Sequence, residues 1–184
     1  MYEKTISTKT VFQGRILEVD VLEVELDNGR RSIREIVRHG VAVAIVPRLP
    51  DGRFVFIRQF RKAMERVCFE VVAGNCDPGE EPAVSAAREL KEETGYIAQS
   101  LEPLGSIFPS VGYCTERIDV FFAEVSEQGD TSFDEDESIE LAILSKAELD
   151  EMIRTNQIAD AKTLAAWMLF KARGGGEVRG VYRS

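Results

Sequence analysis

The chain has 184 residues, of which 44% are hydrophobic and 30% charged, and its net charge is -9. These proportions predict one globular domain with at most a small appendage, and no apolar run approaches the ~20 residues of a membrane-spanning helix. The negative charge disfavours partners such as nucleic acid or an anionic membrane, because both require a basic surface. The first residues lack a secretory signal and the three cysteines follow no CxxC spacing, so we expect a cytoplasmic protein without disulfides or a zinc site.

The N-terminal part of the chain is predicted to form strands. Apolar residues alternate from Leu17 to Leu26, the turn sequence Asp27-Asn28-Gly29 follows, and the alternation continues from Ile33 to Val37. This pattern is typical of a β-hairpin. The apolar runs Val41 to Val46 and Phe54 to Ile57 are predicted to be core strands, because each is short and turn residues separate them.

The stretch from Gly74 to Tyr96 concentrates the candidate chemistry. Pro82 suits a first helical turn and Gly95 suits the position just past a helix end, so the sequence predicts a helix over Pro82 to Thr94. One arc of this helix carries three carboxylates and the neighbouring arc is apolar, with the members Glu89, Glu92 and Glu93 on the first arc and Ala83, Ala86, Ala87 and Leu90 on the second.

The carboxylates of this helix predict a bound cation. They repel one another by about 0.2–0.5 kcal/mol per pair, and they lie near the negative end of the helix dipole. Mg2+ suits the arrangement, because it prefers carboxylate oxygens and keeps waters and substrate phosphates as its other ligands. The alternative interpretation is a solvated, charged helix face.

Two strands and two helices are predicted beyond this stretch. The strands cover Ile118 to Val125 and Leu141 to Leu144. Ser145 begins a capping box, and so a short helix, because a glutamate follows three residues later. Asp160 is predicted to cap a last helix, in which Trp167 is a core residue rather than a platform for stacking a ligand.

The stretch from Gly74 to Tyr96 resembles the Nudix box, G-x5-E-x7-R-E-U-x-E-E-x-G-U with U apolar, at every fixed position, and Tyr96 is a looser match at the last one. The resemblance implies an α/β fold, an α/β/α sandwich with a mixed β-sheet and an N-terminal strand extension. It also implies a hydrolase of a nucleoside diphosphate linked to another group, with Mg2+ or Mn2+ as cofactor. The implied roles are metal ligation by Glu89 and Glu93, ligation or bridging by Glu92, ordering of the carboxylates by Arg88 and closure of the loop-helix unit by Glu80.

Segments outside the box resemble one branch of this family, the ADP-ribose and nucleoside diphosphate sugar pyrophosphatases. The matching segments are Arg58-Gln59-Phe60-Arg61, Glu70 to Gly74, Gly112 to Arg117 and Ile158 to Thr163, within a resemblance that runs from about Ile6 to Leu169. The match implies that Arg61 and Glu116 contact the substrate, that the Ala73 carbonyl ligates a metal, and that Glu35 reaches the substrate of the partner subunit. It further implies a homodimer, with a strand region over 1–40 that pairs across the dimer and a hydrolase domain over 41–184.

The chain departs from the branch at two prolines. Val72 stands where the branch has the proline of P-A-G, and Val111 stands where the ADP-ribose enzymes have the proline of S-P-G, in the substrate loop. Neither change touches a reacting group, but proline fixes φ and shapes a loop. Val111 is therefore predicted to alter the preference for the sugar.

The general base is expected in the acidic segment from Phe133 to Glu140. By the resemblance, Glu135 and Glu137 fall where this branch carries its loop glutamates, and Glu135 is preferred. The alternative is that this segment is only a solvated loop, in which case Glu92 of the box is the base. His39 is the only histidine, so a catalytic Ser/His or Cys/His arrangement is discounted.

Two other functions stay open from the sequence. One is a Nudix hydrolase of a dinucleotide polyphosphate, a coenzyme or a damaged nucleoside triphosphate. The other is a module that binds ADP-ribose without cleaving it, although such a module has no need of a complete set of box carboxylates. Hydrolysis measured with and without Mg2+ distinguishes an enzyme from a module that only binds its ligand.

Overall fold

The computed structural model describes residues 1–129 and 138–175. The chain forms two compact units, the first made of Met1–Val41 and Phe108–Arg117, and the second made of Ala42–Ile107 and the chain from Ile118 onward. None of the helices in the described ranges is long and apolar enough to cross a membrane.

The first unit is built on an antiparallel sheet of the strands β1 (Glu3–Gln13), β2 (Glu18–Leu26) and β3 (Arg31–Arg38), in that order. The predicted hairpin is confirmed as β2 and β3. The sequence did not predict β1 as a third strand beside this hairpin. All residues of β1 are exposed, so the strand has no buried face and no alternation of apolar residues that would mark it.

The second unit contains a larger sheet and three helices among the described residues. The elements of this unit are β4 (Val41–Arg48), β5 (Phe54–Arg61), β6 (Arg66–Glu70), β7 (Val72–Asn75), α1 (Pro82–Thr94), β8 (Tyr96–Ile107), β9 (Arg117–Gln128), β10 (Ile139–Leu144), α2 (Lys146–Arg154) and α3 (Ala161–Ala172). The sheet order is β10-β5-β4-β9-β8, with β6 paired to β5 and β7 paired to β4.

The sheet of the second unit is buried on both faces. Side chains of β4 alternate between two apolar clusters: Ala44 and Val46 pack in one, whereas Val43 and Ile45 pack in the other. Residues of α2 and α3 complete the first cluster, and residues of α1 complete the second. The predicted α/β/α sandwich is therefore confirmed, and double burial explains why the core strands are continuous apolar runs.

The helices begin and end close to the residues that the sequence predicted as their ends. The helix α1 has the predicted bounds, and Gly95 ends it with a φ of 72°, which a side chain with a Cβ adopts only at a cost. Ser145 forms the predicted capping box, and the carboxylate of Asp160 accepts a hydrogen bond from the Thr163 amide at the start of α3. Trp167 is buried in the core, as predicted.

The strand β8 was not predicted from the sequence. Its pairing with β9 shifts register between Tyr96 and Ala98, between Ala98 and Ser100, and between Pro103 and Gly105. Each shift changes which residues face the core, so no simple alternation of apolar side chains extends along the strand.

The face of α1 that is buried in the structure differs from the apolar arc predicted from the sequence, because it also includes polar side chains. Ala86 and Leu90 are fully buried, whereas Ala83 and Ala87 are exposed. Ser85 and Glu93 are buried instead. The sheet therefore covers an arc that includes one of the three box carboxylates, and that carboxylate lies against β7.

Candidate active site

Arg88 lies at the centre of the box carboxylates. Its Nη1 donates to Glu89 Oε1 at 2.7 Å and to Glu92 Oε2 at 3.0 Å, while its Nη2 donates to Glu80 Oε2 at 3.0 Å. Nη2 also donates to the Asn75 carbonyl oxygen at 3.1 Å, which ties the helix to the end of β7. One guanidinium thus offsets the repulsion among three carboxylates and fixes their orientation.

Glu80 closes the loop that leads into α1. Hydrogen bonds from Arg88 and then from Ser85 lower its pKa to about 2, and the Asp77 amide contributes a weaker one. A lowered pKa in the folded state means that this contribution to stability is complete above the ordinary carboxyl pKa of ~4.3 and is lost as the pH falls toward 2. The same carboxylate raises the pKa of Arg88 further above its usual range. The loop and the helix therefore stay joined through the neutral pH range.

Gly74 leaves room for the Glu89 carboxylate. A Cβ added at Gly74 would lie 2.0 Å from Glu89 Cδ, far inside van der Waals contact. The strand β7 and the helix α1 are therefore in close approach here, and the absence of a side chain on the strand is what allows the carboxylate to lie against it.

We expect Gly74→Ala to lower turnover at least about tenfold while the fold persists. The added methyl group displaces the Glu89 carboxylate, which is the flexible end of a side chain, so the backbone need not move. A misplaced catalytic group costs activity steeply. Steady-state hydrolysis and a thermal melt measure the two effects. Gly40→Ala is the matched control, because a Cβ there meets nothing within 4 Å; equal activity of both variants would contradict the prediction.

Glu93 and Ala73 face each other across the same boundary between β7 and α1. Glu93 is 5% exposed, and its Oε2 accepts a hydrogen bond from the Ala73 amide at 3.3 Å. Ala73 is itself held by antiparallel pairing with Ala44 of β4. A carboxylate with little access to water beside a fixed strand is expensive to bury unless positive charge compensates it.

The chemistry of these donors fits a hard divalent cation. Glu89, Glu92, Glu93 and the Ala73 carbonyl offer only oxygen atoms, the donors that Mg2+ and Mn2+ take in proteins. Within residues 1–129 and 138–175, no three carboxylate, imidazole or thiol groups converge closely enough to hold an ion in this arrangement. Two of the carboxylates, Glu89 and Glu92, each accept a hydrogen bond from Arg88 through one oxygen.

Arg61 lies at the end of β5 and is paired with Glu70, a residue for which no role was predicted. Its guanidinium donates through Nε and Nη2 to the two oxygens of Glu70, both at 2.7 Å. Glu70 is buried and also accepts from Lys162 at the start of α3. Arg61, Glu70 and Lys162 all stand in segments that resemble the pyrophosphatase branch, which was the available signal. The contact of Glu70 with Lys162, however, joins residues 92 positions apart in sequence.

Glu35 and Glu116, the other predicted substrate residues, belong to the first unit. Glu35 is exposed on β3, opposite Val21 of β2. Glu116 Oε1 lies 3.8 Å from His39 Nδ1, at the end of a loop that is hydrogen-bonded to β3 through Val37. Glu35 on the sheet and Glu116 in the loop therefore both belong to the first unit.

The predicted loop glutamates, Glu135 and Glu137, lie outside the described residues. Their role as general base therefore rests on the sequence. Val111, at the position of the missing loop proline, is 83% exposed.

A helix whose carboxylates are ordered by one arginine, lying against a glycine-containing strand of an α/β/α sandwich, defines a hydrolase site of the Nudix class. Residues 38–167 match the model of the NUDIX domain, and residues 3–37 match that of the nucleoside diphosphate sugar hydrolase N-terminal domain. The chain belongs to the Nudix family and is a hydrolase.

Similar proteins extend over nearly the whole chain. An ADP-ribose pyrophosphatase of Bacillus subtilis is 39% identical and a methanol dehydrogenase activator of Bacillus methanolicus is 40% identical, and each alignment covers 89% of this chain and 90% of the relative. A crystal structure of an ADP compounds hydrolase superposes with a TM-score of 0.86 at 26% identity, covering 97% of this chain and 98% of that one.

Proposed function

We propose that this protein hydrolyses the pyrophosphate bond of ADP-ribose or a related nucleoside diphosphate sugar, giving a nucleoside monophosphate and a sugar phosphate, with Mg2+ or Mn2+ as cofactor. The observation that carries the proposal is the complete box: Arg88 orders Glu80, Glu89 and Glu92, and Glu93 lies against Ala73. The N-terminal match and the names of the similar proteins support the substrate class.

The residues of this chain divide the work of hydrolysis as follows. Glu89, Glu92, Glu93 and the Ala73 carbonyl would hold the cation, which when bound would supply charge neutralisation at the phosphoryl oxygens and an acidified water. Arg88 keeps the carboxylates oriented, and Arg61 and Glu116 bind the substrate. Glu35 reaches the substrate of the partner subunit. Glu135 or Glu137 accepts the proton of the attacking water, a contribution of typically ~10²–10⁴-fold.

A hydrolysis screen tests this proposal. ADP-ribose, GDP-mannose, UDP-glucose, diadenosine polyphosphates and NADH are each incubated with the protein, with and without Mg2+ or Mn2+, and the products are resolved by chromatography. Metal-dependent release of a nucleoside monophosphate from a diphosphate sugar supports the proposal. Preferential cleavage of a dinucleotide or a coenzyme would assign a different substrate, and binding of ADP-ribose without cleavage would indicate a sensing module.

The same screen tests whether valine instead of proline at position 111 changes the preference for the sugar. Because valine does not fix φ as proline does, the substrate loop is freer in shape, and we expect a broad or shifted sugar preference. Comparable kcat/KM values for at least two diphosphate sugars meet this expectation. The idea is refuted if ADP-ribose is cleaved far better than every other diphosphate sugar, and Val111→Pro then serves to show whether the loop proline matters at all.

We further propose that the protein is a homodimer held by the region 1–40. Several large apolar residues of this region are exposed, among them Phe12, Ile16 and Ile33. Light scattering at micromolar concentration should report twice the chain mass of 20.6 kDa. Ile33→Lys should shift the mass toward the monomer, whereas Val84→Lys, at an equally exposed position (57% for both) on α1, should not. A monomeric parent protein would contradict the proposal.

A further inference from the structure

Glu70 is a buried carboxylate with two cationic partners. It is the last residue of β6, and its side chain is 2% exposed. Arg61 donates to both of its oxygens, and Lys162 donates to Oε2. A buried carboxylate is tolerated only where its charge is paired and its oxygens are hydrogen-bonded, and here both conditions are met within one cluster. These contacts hold the ionised form, so the pKa of Glu70 is lowered even though burial alone would raise it.

The start of α3 supplies the other half of the cluster. Lys162 also donates to Asp160 Oδ2 at 3.0 Å, and Asp160 caps the helix by accepting from Thr163. Thr163 in turn accepts a hydrogen bond from the Val71 amide at 2.9 Å, and Val71 lies at the junction of β6 and β7. The first turn of α3 therefore fixes both the Glu70 side chain and the backbone next to it.

Arg61 keeps a free donor edge in this arrangement. Nε and one N–H of Nη2 are directed at Glu70, which leaves Nη1 without a hydrogen-bond partner among the described residues. The Arg61 side chain is 40% exposed, so solvent and a ligand have access to it. An arginine with two donors fixed on one side presents its remaining donors in a set direction, which suits a planar or tetrahedral oxyanion such as phosphate.

The position of Arg61 relates it to the box. Hydrogen bonding to Glu70 is the largest cause that raises the pKa of Arg61, and the negative charge of Glu93 adds to it. Glu70, the partner of Arg61, ends β6, and Ala73 lies three positions further along in β7, where its amide donates to Glu93. The Arg61–Glu70 pair is therefore joined through one short segment of backbone to the strand that carries a predicted metal ligand.

We propose that Glu70 is a positioning residue, which holds the free edge of Arg61 toward a substrate phosphate and is itself set in place by Lys162 at the start of α3. The proposal rests on the proposed function, since it takes Arg61 as the phosphate contact. It gives a role to the segment Ile158 to Thr163, which is far from the box in sequence. Helix α3 then contributes to substrate binding through Lys162 and Glu70.

A double-mutant cycle on kcat/KM tests the proposal. Glu70→Gln preserves size but removes the negative charge and one of the two oxygens that accept from Arg61, and we expect kcat/KM for the preferred diphosphate sugar to fall at least about tenfold, mainly through KM. Arg61→Gln should have a larger effect. The double variant should be no worse than Arg61→Gln, because Glu70 acts only through Arg61. Losses that multiply instead, or a Glu70→Gln variant within twofold of the parent, would overturn the proposal.

Two further variants keep the test decisive. Arg58→Gln is the matched control: Arg58 is on the same strand as Arg61 but pairs with the exposed Glu140, and its loss should leave kcat/KM within twofold of the parent. If Glu70→Gln does not fold, Lys162→Gln takes its place in the cycle with the same expected non-additivity. Thermal melts of all variants establish that folded proteins are compared.

A binding measurement distinguishes failure of the proposed function from failure of the positioning role of Glu70. If the parent protein cleaves no diphosphate sugar, the hydrolysis proposal fails, and the same cycle is measured as the dissociation constant of ADP by calorimetry. ADP carries the diphosphate that Arg61 is proposed to contact. Weakened ADP binding in Glu70→Gln that is absent from the Arg61→Gln background supports the positioning role, and unchanged binding in Glu70→Gln overturns it.

Discussion

Glu93→Gln is expected to lower turnover by at least about a hundredfold with the fold intact. The substitution preserves size and an acceptor oxygen for the Ala73 amide, but it removes one negative charge from the proposed metal site. Neutralisation of the phosphoryl oxygens by a bound cation is worth several kcal/mol, and about 1.4 kcal/mol corresponds to a tenfold change in rate. The fold should persist, because the change also relieves repulsion between Glu93 and the other carboxylates of α1.

The measurement is kcat over a range of Mg2+ concentrations, together with a thermal melt. A weakened site should also raise the Mg2+ concentration that gives half-maximal rate. Glu81→Gln is the control on the same helix, since Glu81 is exposed, lies at the N-terminal end and makes no side-chain cap. Near-normal turnover in Glu93→Gln would remove Glu93 from the set of ligands.

Glu135→Gln is expected to lower turnover at least about tenfold, with little change in Mg2+ dependence. A water bound to a cation is already acidic, so a carboxylate of ordinary pKa suffices as base, provided that it reaches the water without becoming a tight ligand. A carboxylate on a segment outside the box meets both requirements. Glu135 aligns with the loop glutamate of this branch, whereas Glu137 is two positions before Ile139 in the sequence.

The comparison variant is Glu137→Gln, for which we expect the smaller loss. Both variants are assayed on the substrate that the parent cleaves best, at saturating Mg2+ and across a pH series. If both hydrolyse it at the parent rate, the acidic loop is only a solvated surface. The base then lies within the box, and Glu92, which is partly exposed beside Arg88, becomes the residue to test.

The two units carry different parts of the proposed function. The predicted substrate residues Glu35 and Glu116 belong to the first unit, whereas the box, Ala73 and Arg61 belong to the second. Substitutions in the first unit should therefore change the preference among diphosphate sugars more than the metal requirement. Substitutions in the box should do the reverse, which makes the two groups separable in one set of assays.

The local secondary-structure elements and the carboxylate chemistry of the box could be predicted from the sequence alone. The bounds of α1, its glycine end, the capping box at Ser145 and the hairpin of β2 and β3 follow from neighbouring residues, whose conformational preferences and hydrogen bonds are local. The spacing of Glu89, Glu92 and Glu93 also sufficed to place three carboxylates along one helix, because helical geometry is periodic.

Burial of particular side chains and contacts between residues distant in sequence became visible only in the tertiary structure. Glu93 is buried rather than solvated because the sheet covers its part of α1, and Gly74 is needed because β7 approaches Glu89 closely. The strand β1 has no buried face to mark it in the sequence. Glu70 and Lys162 are 92 positions apart, and no local preference pairs them; packing of α3 against the sheet brings them together, and burial makes the pairing of their charges necessary.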